Sequence, residues 1–167
     1  MSHSIQPLVY NAGEPQYEQT ADWTCAACSL AWLNRALGIQ HATDEFSAAE
    51  YIGIPDHINS LYGLMDASGS RLVQCFREQG APAFALWPSW AQVFELASYM
   101  PLLLGGVGWY HWVGVRGANM EGLALANSAP GWQDVYQQLN EWQWHSLVPW
   151  AAVPVPLLHN FPPPPSS

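Results

Sequence analysis

Cys25-Ala-Ala-Cys-Ser-Leu-Ala-Trp-Leu-Asn-Arg-Ala-Leu37 is the stretch on which the reading of this chain turns. Leu30, Leu33 and Leu37 recur at helical spacing, alanines permit close approach, and Gly38 supplies a stop. Arg35 is its one charge, so a helix over residues 25–37 is expected to be largely buried. Asp22 and Thr24 stand where a helix cap is needed. A thiol at the start of such a helix meets unpaired backbone N–H groups and the positive end of the helix dipole. Both favour thiolate, which marks Cys25 as a candidate nucleophile.

Upstream, residues 1–18 read as an extended arm, polar and broken by Pro7 and Pro15, without the basic-then-apolar pattern of a signal peptide. Downstream, short helices are expected between His41 and Gly63, broken by Gly53 and Pro55. Ser70 to Gln79 has an amphipathic pattern ending at Gly80, and Pro88 suits the first turn of a helix over Ser89 to Tyr99. Ala83 to Leu86 reads as a short strand. The period then changes: Pro101–Leu104, Trp109–Arg116 and Gly122–Ala126 are short aliphatic and aromatic runs parted by glycines, and read as successive antiparallel strands. Trp132–Trp142 is a weaker helical or irregular stretch, and Trp144–Trp150 is expected to close the sheet. The architecture implied is α+β, a helical N-terminal half with a buried helix at its heart and a C-terminal antiparallel sheet. One domain over residues 1–160 accounts for the 167 residues, followed by a solvated polyproline tail over 161–167.

Composition narrows the function. Acids outnumber bases 13 to 4, for a formal charge of −9, and the bases are the scattered arginines 35, 71, 77 and 116. No positive face can neutralise several phosphates, so neither nucleic acid nor an anionic membrane surface is an expected partner. The longest apolar run, Pro101 to Val107, is too short to span a bilayer. Ten tryptophans imply core, pocket walls and an aromatic surface able to take a protein partner. The proline tail is a second such handle. Three cysteines, two of them one helical turn apart, do not describe a disulfide framework, and the cytoplasm is the default compartment. Export by a dedicated system leaves no reliable mark in the chain.

A nucleophilic thiol needs a base, and His111 stands out among six histidines because it lies in a strand otherwise suited to burial. A histidine there is often only a satisfied core residue. Asn127 ends the next strand, 16 residues on (127 − 111), and two adjacent antiparallel strands can set such positions side by side. Its amide oxygen would hold one imidazole nitrogen and turn the other toward the thiol, unless it is simply a turn residue. Gln19, six positions before Cys25, can offer its amide N–H beside the Cys25 backbone N–H as an oxyanion hole.

The order Gln19, five residues, Cys25 on an apolar helix, then His111 in a strand and Asn127 before Pro130-Gly131, resembles papain-like cysteine peptidases. It is most similar to the leader-processing, double-glycine peptidases of bacteriocin exporters, with Met100-Pro-Leu-Leu-Leu104 matching the strand before the histidine. Ala26 replaces that family's glycine, Thr24 its acid and Asn127 its aspartate, the last being the residue papain itself uses. The resemblance implies a papain-like fold and hydrolysis of a peptide or protein substrate through a Cys25 thioester, with no cofactor. A deamidase or acyltransferase on the same fold, and a non-catalytic binding module, are the alternatives. Cys28 is a rival nucleophile, but Gln19 then lies nine residues upstream and the second turn of a buried helix suits a small core thiol. Half a zinc site at Cys25–Cys28 lacks its other half, so no metal is expected.

Overall fold

The computed structural model describes residues 16–54, 69–106, 111–131 and 138–156. Helix α1 (Cys25–Leu37) forms where expected, and Gly38 ends it in the left-handed conformation (φ 77°) that only glycine adopts without strain. Helices α2 (Glu45–Ile52), α3 (Ser70–Glu78) and α4 (Trp90–Ala97) follow. Strands β1 (Leu102–Gly106), β2 (His111–Asn119), β3 (Gly122–Ala126) and β4 (Gln138–Leu139), helix α5 (Glu141–Leu147) and strand β5 (Pro149–Pro154) complete the order. All strand pairs are antiparallel, in the order β4-β3-β2-β1-β5. This is an α+β fold.

Both faces of the sheet are covered, which is why its strands read as nearly unbroken apolar runs. Leu103, Trp112, Ala126, Ala151 and Val153 point to one face, against α1, α2 and α3. Their alternates Leu102, Leu104, Val113, Val115, Leu125 and Ala152 point to the other, against α4 and α5. Helix α1 lies on the central strand β2. Gly114 makes this possible, since a Cβ there would sit 2.5 Å from Cε3 of the fully buried Trp32.

The C-terminal expectation needs correction. Trp144–Trp150 is not a strand: Trp144 to Leu147 belong to α5, and the closing strand is Pro149–Pro154. Asn140 and Gln143 form a reciprocal capping box that commits residues 141–147 to a helix. The strand then carries Pro149 and Pro154 at its two ends and runs on the sheet's edge, where a missing N–H is tolerated. Ala83–Leu86 contributes only a single bridge, Leu86 to Ala152. Ser89 caps α4, so Pro88 precedes the helix rather than opening it. Between His41 and Gly63 the helix is α2, and the expectations for residues 55–63 lie outside the described residues, as do most of the N-terminal arm, residues 109–110, residues 132–137 and the proline tail.

Candidate active site

The loop leading into α1 is moored by a carboxylate. Glu45, at the first position of α2, accepts from Thr20 N–H (2.8 Å), Ala21 N–H (3.2 Å) and the Thr20 hydroxyl (2.9 Å). The Thr24 hydroxyl stands 2.5 Å from the same carboxylate and 2.8 Å from Ala21 O, so it makes no side-chain cap on α1. Four donors on one carboxylate tie residues 20–24 to α2 and so fix the approach to Cys25.

Cys25 meets the sheet at Trp112. The β2–β3 ladder ends at the pair Gly114–Ala126, and beyond it the Trp112 N–H donates to Cys25 Sγ at 3.4 Å. One turn along α1, Ser29 Oγ donates to the Trp112 carbonyl at 3.2 Å. Residues i and i+4 share one helix face, so α1 grips both backbone polar groups of a single residue. The residue before Trp112 is His111.

Asn127 follows directly on β3 and reaches back to β2. Its Oδ1 lies 2.7 Å from His111 Nε2 and accepts from Ala129 N–H at 3.0 Å. A backbone N–H can only donate, so the amide atom it meets is oxygen, and the imidazole nitrogen facing that oxygen must carry its proton. Neutral His111 is therefore the Nε2–H tautomer, with a lone pair on Nδ1. The Asn127 Nδ2 group is buried and makes no hydrogen bond among the described residues. Ser128 joins Gln19 to this strand end: its hydroxyl donates to Gln19 Oε1 (2.9 Å) and its carbonyl accepts from Gln19 N–H (2.9 Å). Gln19 Nε2 donates to Ala21 O at 2.8 Å. Thus the dipeptide Asn127-Ser128 touches both His111 and Gln19, and all four are buried.

Burial sets the charges here. It pushes the Cys25 thiol up to about 11, against the opposing pull of the N–H groups of Trp112, Ala26 and Cys25 itself. It also lowers His111 below the ordinary imidazole value, opposed by the bond to Asn127. The pull of the helix-terminal N–H groups toward thiolate is present but is opposed by desolvation, the larger of the two effects on Cys25. Cys28, on the next turn, is raised to about 12, first by burial and then by the Glu45 carboxylate, with the Ser128 hydroxyl acting against them.

A helix that opens on a buried thiol and packs on an antiparallel sheet, with a histidine on one strand and an asparagine just past the end of its neighbour, now has a structural counterpart. The crystal structure of a double glycine motif protease from an AMS/PCAT transporter in complex with the leader peptide superposes with a TM-score of 0.57. The match covers 93% of this chain and 100% of that one, at 13% identity. The fold is papain-like. Neither the protein-family models nor the curated proteins contain a match. In the papain-like fold of this chain, no group of three or more His, Cys, Asp or Glu among the described residues is placed to hold a metal.

Sequence reasoning missed Trp112, Ser29, Ser128 and Glu45. Ser29 had a signal, a polar residue on the apolar face of α1 one turn beyond Cys25. Ser128 had a weaker one, its place beside Asn127. Trp112 acts through its backbone and Glu45 through docking of α2, and neither leaves a mark in the sequence.

Proposed function

We propose that this chain is a cysteine peptidase-like hydrolase in which Cys25 is the nucleophile, His111 the base, Asn127 its orienting partner and Gln19 an oxyanion donor. The observation that carries this reading is the use of two consecutive residues. His111 is held by Asn127 in the Nε2–H tautomer, and Trp112 holds the Cys25 sulfur through its N–H. Base and nucleophile thus dock on one stretch of β2.

Substrate binding expels water and brings the carbonyl carbon to the thiol. The Cys25 proton passes to His111 Nδ1 as sulfur attacks, forming a tetrahedral intermediate. Its oxyanion takes the Cys25 backbone N–H, in the first helical turn, and the second N–H of Gln19 Nε2, whose first serves Ala21. Collapse transfers the Nδ1 proton to the leaving amine and leaves a thioester. His111 then deprotonates a water that attacks the thioester, releasing the carboxylic acid and restoring the thiol. Asn127 keeps the imidazole in register through both halves.

The substrate is a peptide or protein segment. The leader peptide held by the structural counterpart supports this class, and the acidic balance of this chain favours apolar or basic segments. Residues 1–160 act as one catalytic unit, with the proline tail beyond it. We assign the chain to a reducing compartment such as the cytoplasm on the cysteine pattern of the sequence. The test is incubation with a mixed peptide library, read by mass spectrometry. Cleaved products that disappear in Cys25→Ala and in His111→Ala support the reading. A gain of about 1 Da without cleavage would show that Cys25 attacks a side-chain amide instead, expelling ammonia and leaving a thioester that water hydrolyses. Absence of any chemistry with wild-type protein overturns it.

A further inference from the structure

Cys28 has no part in the hydrolytic cycle, yet it stands one turn from Cys25 on the same face of α1. From the rise and radius of an α-helix, Cα atoms three residues apart lie about 5 Å from each other. That separation is inside the range of roughly 4.4–6.8 Å that a disulfide spans. Both thiols are buried, at 3% and 4% exposure, and neither is paired with another cysteine. Closing a bond between them requires a small adjustment of the first turn. That adjustment breaks no side-chain cap, because the Thr24 hydroxyl lies against Glu45 and Ala21 rather than capping α1. Cys75, the third cysteine, lies on α3 and is buried in the same core as Cys25.

We propose that Cys28 is a resolving thiol for Cys25, so that oxidation by a hydroperoxide ends in a reversible Cys25–Cys28 disulfide that shuts the site without destroying it. His111 Nδ1 accepts the Cys25 proton, and the sulfur attacks the near oxygen of the hydroperoxide. The O–O bond breaks, the peroxide is reduced to hydroxide or alkoxide, and Cys25 is oxidised to sulfenic acid. The Cys28 sulfur then attacks the Cys25 sulfur. An S–S bond forms, the S–OH bond breaks, and the departing hydroxide leaves as water with the Cys28 proton. Two equivalents of a small thiol reverse the step, themselves becoming a disulfide. At rest the burial of Cys28 keeps it protonated and silent.

The test reads the thiols and does not depend on finding a peptide substrate. Trypsin cuts only after arginine here, so Cys25 and Cys28 share the peptide Met1–Arg35 while Cys75 falls in Leu72–Arg77. Native protein is treated with hydrogen peroxide, quenched with an alkylating agent in denaturant, and mapped. The expected result is a Met1–Arg35 peptide about 2 Da lighter that takes no label, with full labelling regained after dithiothreitol. In Cys28→Ser the light peptide is absent, and the same peptide instead gains about 32 or 48 Da that the reductant does not remove. Cys28→Ala serves as the second variant, and the wild-type mapping decides alone if neither folds. Irreversible oxidation of the wild-type peptide, a link between Met1–Arg35 and Leu72–Arg77, or unchanged thiol recovery in Cys28→Ser would each overturn the inference. A Cys25 that alkylates rapidly in the native protein but forms no disulfide refutes this inference and leaves the proposed hydrolysis standing. A Cys25 inert to peroxide in protein that cleaves the peptide library refutes this inference alone, and one inert to peroxide with no cleavage refutes the two together.

Discussion

Gly114→Ala is the substitution that best tests how α1 is seated. A Cβ at this position would lie 2.5 and 2.6 Å from Trp32 Cε3 and Cζ3, and 3.2 Å from Ala126 Cβ. Favourable carbon contacts begin near 3.5 Å, so about 1 Å of retreat is required. Trp32 is fully buried and its ring is rigid, so the retreat must come from α1 as a body or from an off-rotamer indole. Overpacking of this kind costs about 1–3 kcal/mol. The lost backbone freedom of glycine in the unfolded chain returns roughly 0.5–1 kcal/mol of that. With about 1 Å of retreat the cost falls in the upper half of that range, so a net loss of about 1–2.5 kcal/mol lowers Tm by roughly 2–10 °C for a chain of this size. The same displacement pulls Cys25 and Ser29 off Trp112, so native-state alkylation of Cys25 changes together with Tm. Thermal melts and iodoacetamide kinetics read the two effects. In the double variant Trp32→Leu/Gly114→Ala the losses should fall short of additivity by about 1 kcal/mol or more, because leucine vacates the space the methyl needs. An unchanged Tm for Gly114→Ala, or strict additivity in the double variant, refutes the seating argued here.

Asn127→Ala removes the acceptor for both His111 Nε2 and Ala129 N–H, and should slow peptide cleavage at least about tenfold by freeing the imidazole tautomer. Asn127→Asp should restore much of that rate, with a pH profile displaced upward because a carboxylate stabilises the imidazolium. Glu45→Gln keeps one acceptor oxygen but turns an N–H₂ group toward the donors of residues 20–24, and should cost about 1–3 kcal/mol in a urea melt while also lowering the cleavage rate. Stability should narrow at both ends of the pH range. His111 is lowered in the fold, so its contribution is complete above its unfolded value near 6.5 and is lost as pH falls through the folded one. The Cys25 thiol is raised from 9.0 to about 11, so its contribution is complete below 9 and is lost as pH rises toward 11, at about 1.4 kcal/mol per pH unit. Urea midpoints across pH check both limbs, and His111→Gln should flatten the acid one.

The α+β order, α1 with its glycine stop and the succession of strands from 101 to 126 were legible in the sequence. Each rests on a local signal, a hydrophobic period of 3.6 or 2 punctuated by Gly or Pro. The candidates Cys25, His111, Asn127 and Gln19 could be named from order and spacing, because a strand pair joined by a short turn constrains which residues can meet. The contacts that tune them were not legible. The capping box at Asn140 and Gln143 overrode a strand-like composition at Trp144–Leu147, since local hydrogen bonds at a helix start outweigh side-chain preference. The upward push on the Cys25 thiol follows from burial against β2, which no local pattern records and which outweighs the opposite pull of the helix terminus. The grip of Cys25 and Ser29 on Trp112, and the mooring of residues 20–24 by Glu45, join groups far apart in the chain through backbone atoms that every residue carries alike. Such contacts exist only once the two layers have docked, because backbone N–H and C=O groups have no sequence signature and find their partners through tertiary position alone.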